Sequence, residues 1–196
     1  MTEPVAALDP ADGVLLARLA STAVAARLTG RLLPDEPPDS SALCGFGASF
    51  VTLENTGRLR GCIGSLDPAR PLWRDAMGNA VRAMSDPRLP AVTAADWPNL
   101  DVRVTVLGPL EPVPVGDAAA LLDRLRPGVH GLFLTEGTRR ATFLPTVWTK
   151  LPEPAAFLAA LLAKGGWPAG YWSSGLSVCR YTTQEFHDPA PRGPLT

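Results

Sequence analysis

The sequence has no long apolar run, few histidines and cysteines, and little excess of charge. No stretch approaches the roughly 18 apolar residues that a membrane-spanning helix requires, so we expect no membrane association. The segment Met1-Thr2-Glu3-Pro4 lacks the basic start and apolar core of a signal peptide, which favours a cytoplasmic location. With two histidines and three dispersed cysteines, the usual ligand spacings are missing, so we predict no metal site and assign no cofactor.

The balance of charge argues against one further class of function. Among 196 residues there are 18 basic and 19 acidic side chains, which gives a formal net charge of −1. Neutralising phosphates needs a basic surface, so this balance argues against a dedicated nucleic-acid-binding protein. Cys44, Cys62 and Cys179 are odd in number and widely separated, which is typical of reduced thiols rather than of a disulfide framework. A Walker loop, a dinucleotide-binding fingerprint and a nucleophile-elbow serine are missing as well.

The pattern of apolar residues predicts an α+β fold. Apolar residues make up 46% of the chain, which excludes intrinsic disorder. A first helix begins at Pro10 behind an Asp9 cap and stops at Gly30, and further helices are predicted at 71–85, 117–125 and 154–164. The predicted strands are 46–53, 59–64, 101–107, 131–135, 138–144 and 176–182. Since no β-α-β order repeats, we expect mixed or antiparallel sheets with flanking helices.

Two of these predicted strands allow a more detailed expectation, one about a turn and one about burial. In the link between the first two strands, Asn55 and Gly57 supply the positive φ that a tight hairpin needs. In the strand 101–107, valines at every second position predict one buried and one solvated face.

The segment Leu59-Arg60-Gly61-Cys62-Ile63-Gly64 is the one that could carry chemistry. Alternation divides this strand into two faces, with Leu59, Gly61 and Ile63 on one and Arg58, Arg60, Cys62 and Gly64 on the other. An arginine beside the thiol favours the thiolate, which is the reactive form of cysteine. Gly61 and Gly64 weaken a strand, and one reason to keep them is close approach of another backbone or of a ligand. The alternative is that Cys62 is a small buried apolar residue.

Three further positions are candidates for a site. His130 could act as the base for Cys62 if the two are neighbours in space, and the alternative is a histidine satisfied by loop backbone. Arg139 and Arg140 point to opposite faces of the next predicted strand, so one of them can bind an anion, and a structural ion pair is the alternative. For the aromatic side chains of the C-terminal third, we expect packing in a core or between lobes rather than a ligand wall.

These residues, together with several other segments, resemble the AMMECR family, known in bacteria as AmmeMemoRadiSam system protein A. The hexapeptide at 59–64 looks like the signature of that family, and further blocks fit it: Asn79-Ala80, Asp86-Pro87-Arg88-Leu89-Pro90, Val104 to Pro112, His130-Gly131-Leu132, Arg139 to Pro145, Tyr171-Trp172 and Arg180-Tyr181. The likeness covers about residues 12–187 as a single domain of two lobes and leaves 188–196 as a loose tail. Two departures are Thr146, where glutamine is expected, and Gly165-Gly166-Trp167 in place of Ala-Gly-Leu.

The resemblance implies an α+β fold with a larger and a smaller lobe, and places the glycine–cysteine strand near the groove between them. It also implies two partners, a Memo-like protein and a radical S-adenosylmethionine protein, and it implies no particular reaction. The candidate site therefore has catalytic members, Cys62 and His130, and ligand-binding members, Arg60, Gly61, Gly64, Arg139, Arg140 and Thr142.

Two functions stay open on the sequence. The first is a non-catalytic binding or accessory component, in which the glycine strand and the arginines line a groove for an unidentified small molecule or for the partner proteins. The second is an enzyme that uses Cys62 as a thiolate nucleophile or a redox-active thiol on a small-molecule substrate.

Overall fold

The computed structural model of the chain describes residues 7–195. Its helices are α1 (Pro10–Thr29), α2 (Ser41–Cys44), α3 (Leu72–Ala83), α4 (Ala118–Leu122) and α5 (Pro154–Lys164). Its strands are β1 (Phe46–Gly47), β2 (Ser49–Asn55), β3 (Arg58–Gly64), β4 (Arg70–Pro71), β5 (Leu100–Leu107), β6 (Glu111–Pro112), β7 (Gly131–Glu136), β8 (Arg139–Phe143), β9 (Ser177–Tyr181) and β10 (Thr183–Asp188). Helices and hairpins alternate without a β-α-β repeat, so the α+β prediction is confirmed.

The chain divides into a larger and a smaller unit, as the predicted fold class requires. The first unit comprises the described residues up to Leu107 together with those from Gln184 onward, and the second is Gly108–Thr183. A four-stranded sheet of order β10-β5-β2-β3 and the short pair β1-β4 belong to the first unit. The second unit contains the sheet β6-β9-β7-β8.

Helix α1 forms where its capping residues predict it. The Asp9 side chain accepts a hydrogen bond from the amide of Ala11 at 2.8 Å, and Pro10 occupies the first helical position. At the other end Gly30 adopts φ 71°, a left-handed conformation that glycine takes at little steric cost, and its amide bonds back to the last turn. Both ends of this helix are therefore fixed by local chemistry.

The hairpin between β2 and β3 turns at a different pair of residues from the one predicted. Positive φ occurs at Thr56 (50°) and Gly57 (77°), whereas Asn55 is still part of β2. The Asn55 side chain instead donates two hydrogen bonds to Asp96. The prediction was wrong at Asn55 because its amide has a partner far along the chain.

Helices α1 and α3 pack on one face of the four-stranded sheet and form the first core. The strand residues on this face are fully buried: Val51, Leu53, Val102 and Val104. The alternation predicted for β5 is confirmed at its valines, but Thr105 on the opposite face is also buried, at 5% exposure. The outward face of this sheet is the one that carries Cys62 and its partner across the β2–β3 pair, Thr52.

The segment after β10 makes specific contacts with the first unit, in contrast to the expectation of a loose tail. Trp97 Nε1 donates to the carbonyl of Gly193 at 2.8 Å, and Arg192 Nε donates to the carbonyl of Leu100 at 2.5 Å. Arg192 also pairs with Asp188 at 2.8 Å and lies 4.8 Å from the ring centre of Trp97. These contacts hold the part of the tail that the structure describes.

The second unit has its own core, which contains most of the aromatic side chains of the C-terminal third of the chain. Trp148 and Phe157 stack with ring centres 3.8 Å apart, and Trp167 is buried beside them. Trp167 Nε1 and the Tyr171 hydroxyl both donate to the carboxylate of Glu136, at 2.9 Å and 2.8 Å. The hydrogen bond from Ser173, followed by those from Trp167 and Tyr171, lowers the pKa of Glu136. In this unit the aromatic side chains therefore pack in a core.

Candidate functional site

Strand β3 is the last strand in its sheet, and a bulge interrupts it at Arg60. Gly61 lies opposite Leu53 and Leu59 lies opposite Glu54, so Arg60 is the extra residue between two consecutive positions of β2. Strict alternation therefore holds only from Gly61 to Gly64. Leu59, which strict alternation places on the same face as Gly61 and Ile63, is 41% exposed.

The protein's own atoms occupy the space where Gly61 and Gly64 would carry a side chain. A Cβ built on Gly61 would lie 1.9 Å from the carbonyl oxygen of Ala83, which belongs to the last turn of α3. A Cβ on Gly64 would lie 2.2 Å from the ring of Phe50 on the neighbouring strand. The close approach predicted from these glycines is real, but it is made by backbone and by an aromatic ring. The structure thus gives the two glycines a packing role, and their assignment as ligand-binding residues stays a prediction.

Cys62 is held by three residues of the first unit. The Thr52 hydroxyl donates to Cys62 Sγ at 3.4 Å, across the β2–β3 pair. The Cys62 amide donates to Asp86 Oδ2 at 3.1 Å, and its carbonyl accepts from Arg88 Nη2 at 3.1 Å. Since β3 has no strand on that side, Asp86 and Arg88 satisfy the backbone groups that an edge strand leaves open. The Cys62 side chain is half-buried.

Asp86 and Arg88 form a closely coupled pair. Arg88 donates to both carboxylate oxygens of Asp86, at 2.9 Å and 2.6 Å. The Asp86 side chain is completely buried and the Arg88 side chain is 68% exposed. Hydrogen bonds from Arg88 hold the pKa of Asp86 well below its usual range. The same pairing raises the pKa of Arg88, and the electrostatic interaction of Arg88 with Cys62 raises it further. Asp86 is therefore a carboxylate throughout the physiological range.

Arg60, expected to be the cation beside the thiol, is paired elsewhere. Its Nη2 donates to Asp96 Oδ2 and to the carbonyl of Ala91, both at 3.1 Å. Its Nε is buried and has no hydrogen-bond partner among the described residues. Arg88 interacts electrostatically with Cys62. The bulge interrupts the regular alternation at Arg60, so Arg60 does not keep the position beside Cys62 that strict alternation gives it.

Removing the charge of Asp86 is expected to destabilise the chain in a pH-dependent way. Asp86→Asn should cost about 2–3 kcal/mol at pH 7, since it weakens the hydrogen bonds from Arg88 and from the Cys62 amide. The folded pKa of Asp86 lies below its unfolded value, so this stabilisation is complete above about pH 4 and is lost as the pH falls towards the folded pKa. Urea unfolding at pH 7 and at acid pH measures both.

The matched control for this variant is Asp123→Asn, an exposed position that should change stability by less than about 0.5 kcal/mol. An Asp86→Asn variant equally stable to the wild type at pH 7, or one whose deficit grows on acidification, contradicts the role of this pair.

His130 and the remaining candidates belong to the second unit, whereas Cys62 belongs to the first. The His130 Nδ1 accepts from the amide of Arg126 at 3.1 Å, and its carbonyl accepts from Trp148 Nε1. Burial lowers the pKa of His130, and the positive charges of Arg180 and Arg126 lower it further. The hydrogen bonds of Cys62 and of His130 are each made within their own unit.

The other three candidates lie on β8. The Thr142 hydroxyl bonds to the carbonyl of Leu132 at 2.7 Å and to the Tyr181 hydroxyl at 2.6 Å. Burial raises the pKa of Tyr181 to about 12, so this is a structural contact between neutral hydroxyls. Arg139 and Arg140 are both exposed; Arg139 lies opposite Glu136 and contributes to lowering the pKa of that carboxylate.

The structure contains a buried polar cluster on α3 that the sequence analysis did not predict. The Asp75 carboxyl accepts from the Ser49 amide (2.9 Å), the Ser49 hydroxyl (2.8 Å), the Ser65 hydroxyl (2.8 Å) and Asn79 Nδ2 (2.9 Å). Asp75 and Asn79 are one helical turn apart and are both buried, at 1% and 0% exposure. The signal that could have found them is a polar pair at that spacing among the buried apolar positions of a helix. The cluster joins β2, the end of β3 and α3.

Across residues 7–195, no three histidine, cysteine, aspartate or glutamate side chains group together in a way that could hold a metal ion. Over the same range, no helix combines the length and the apolar composition that crossing a membrane needs.

Known proteins resemble this chain over most of its length. A protein of Methanothermobacter thermautotrophicus is 35% identical over 189 residues, which cover 93% of this chain and 97% of the relative. Protein PH0010 of Pyrococcus horikoshii is 32% identical over 195 residues, covering 93% of each. The crystal structure of that uncharacterized protein superposes with a TM-score of 0.86 and 30% identity, over 95% of this chain and 96% of the other.

The AMMECR1 family model matches residues 17–186. That range contains β3 with Cys62, the Asp86–Arg88 pair that holds it, and the Asp75 cluster. The segments that the resemblance singled out at 59–64 and 86–90 are thus joined by hydrogen bonds in the folded chain. The chain belongs to the AMMECR1 family.

Proposed function

We propose that this chain is a cytoplasmic binding and accessory component of the AmmeMemoRadiSam system, and that the outward face of β3 at Cys62 is its contact surface. The observation that supports it best is the way Cys62 is held, by Thr52 on its side chain and by Asp86 and Arg88 on its main chain. A half-exposed side chain fixed in this way loses little further freedom on binding, which favours affinity. The partners we propose are a Memo-like protein and a radical S-adenosylmethionine protein.

Arg88 gives this surface its polarity. Its Nε and Nη2 are used on Asp86 and Cys62, which leaves the Nη1 donors for an outside acceptor. The surface therefore presents a thiol beside guanidinium donors. Acceptors that match it are carboxylate or carbonyl oxygens of a partner.

A cysteine-dependent enzyme is the second candidate function, and it uses the same thiol. One way to activate a thiol nucleophile is a proton acceptor within hydrogen-bond reach. The carboxylate nearest to the Cys62 main chain is Asp86, whose lowered pKa makes it a poor base near neutral pH. This favours the binding function over the catalytic one.

Two substitutions of Cys62 separate these functions. Cys62→Ser keeps the size of the side chain and a partner for Thr52, so its affinity for the purified Memo-like protein should stay within about twofold of the wild type. Cys62→Trp puts a bulky group on the contact surface and should weaken binding at least about tenfold. Calorimetric titration of the full chain measures both affinities, and melting temperatures show that the variants are folded.

The bulky control is Ala11→Trp, at an exposed position of α1, which should bind as the wild type does. Unchanged binding by Cys62→Trp overturns the proposed surface. A Cys62→Ser chain that keeps its melting temperature and its partner affinity but loses all function in cells supports the enzyme instead. In that case the Cys62 thiol should also react with iodoacetamide faster than free cysteine near neutral pH.

A further inference from the structure

A second candidate site lies in the first unit, away from β3 in the sequence. An open groove of about 540 Å³ runs between an exposed stripe of α1 and the segment that follows β10. Its volume falls within the range of small-molecule sites in proteins, about 300–1,000 Å³. The residues that decide what it can hold are Arg18, Thr22, Thr29, Arg31, Leu32 and Asp188.

The hydrogen-bond donors on the floor of the groove are already in use. The Thr22 hydroxyl donates to the carbonyl of Arg18, and the Thr29 hydroxyl donates to the carbonyl of Ala25, each at 2.9 Å. The Arg192 guanidinium donates to Asp188 and to main-chain carbonyls. The donors that remain for a ligand are those of arginine side chains at the two ends.

The two ends differ in how their arginines are paired. At one end Arg18 and Arg192 both interact with the Asp188 carboxylate, which neutralises part of their positive charge. Arg31 follows the C-cap of α1 and is exposed, and within residues 7–195 its side chain makes no hydrogen bond or ion pair. Eleven helical positions, about 16 Å at 1.5 Å per residue, separate Arg18 from Thr29, the last residue of α1. Arg31 therefore presents, far from Asp188, a guanidinium that no carboxylate of residues 7–195 pairs with.

Apolar surface adjoins that charge. Leu32, next to Arg31, is 94% exposed and lines the groove together with Pro34 and Ala25. An exposed leucine beside an unpaired guanidinium matches a ligand that has an apolar body and one anionic group. We infer that this groove binds a small amphiphilic organic anion, with its sulfonate, carboxylate or phosphate at Arg31 and its apolar part against Leu32 and the α1 stripe.

The probe that tests this is 1-anilinonaphthalene-8-sulfonate, which has an aromatic body and one sulfonate. We expect saturable binding to the full chain with one equivalent, detected by fluorescence. Arg31→Gln should weaken it at least about fivefold and reduce its salt dependence, since a surface charge contact is screened by salt. Thr22→Phe fills the groove from an exposed helix position and should weaken binding at least about tenfold.

The matched control is Arg27→Gln, which removes an exposed arginine of the same helix that does not line the groove. Circular dichroism and melting temperature show that each variant keeps its fold, so that dye binding reports the groove and not unfolded chain. Absence of saturable binding overturns the inference. So does binding that Arg31→Gln and Thr22→Phe leave unchanged, or that Arg27→Gln weakens as much as Arg31→Gln.

Discussion

Replacing Gly61 by alanine is expected to destabilise the chain by about 3 kcal/mol or more, and replacing it by valine to prevent folding. The added Cβ would lie 1.9 Å from the carbonyl oxygen of Ala83, and the atom in the way is backbone, which cannot rotate aside. Relief requires α3 and β3 to move apart, which opens the core they share. Urea unfolding of the purified variants measures the loss.

A glycine of the same unit provides the control for this prediction. A Cβ on Gly193 meets nothing within 4 Å, so Gly193→Ala should change the free energy of unfolding by less than about 0.5 kcal/mol. If Gly61→Ala is as stable as Gly193→Ala, Gly61 is not needed for the packing of α3 on β3. That result would favour the alternative given above, in which the glycine allows a ligand to approach.

The second large effect is expected at Asp75. Asp75→Ala removes the common acceptor of the Ser49 amide, the Ser49 hydroxyl and the Asn79 amide, all of them buried. Each buried donor left without a partner costs about 1–3 kcal/mol, so we expect a total loss of about 3–5 kcal/mol in the free energy of unfolding. The same urea measurement detects it.

The control is Asp35→Ala, which breaks an ion pair between Arg74 and a carboxylate that is 85% exposed. Such a surface pair contributes about 0–1 kcal/mol, so this variant should remain close to the wild type. An Asp75→Ala loss of the same small size shows that water replaces the carboxyl group at little cost, and that the cluster does not fix the position of β3.

Elements whose ends are set by local chemistry were predictable from the sequence. Helix α1 carries its own start and stop in Asp9 and Gly30, and α5 spans the predicted residues 154–164. Strand β10 was missed because nothing local defines it. It exists as a strand through pairing with β5, which is made from residues far earlier in the chain.

The candidate site was predictable in part, and the limits have physical causes. The separation of Cys62 from Gly61 and Ile63 onto opposite faces was predictable, since alternation depends only on neighbouring residues. A glycine in a strand signals close approach, but the sequence does not say whether a helix or a ligand approaches. The bulge at Arg60 and the bonds from Asp86 to Cys62 depend on segments that meet only in the folded chain.

The order of strands along the chain has a consequence for biosynthesis. Strand β10 lies beside β5 in the first sheet, yet residues 108–182 are translated between them. A nascent chain therefore completes the second unit while β5 still has an open edge, which is a site for wrong pairing during synthesis. Arg103 on β5, which joins Glu185 of β10 in the finished fold, places a charge on that edge strand until its partner emerges from the ribosome.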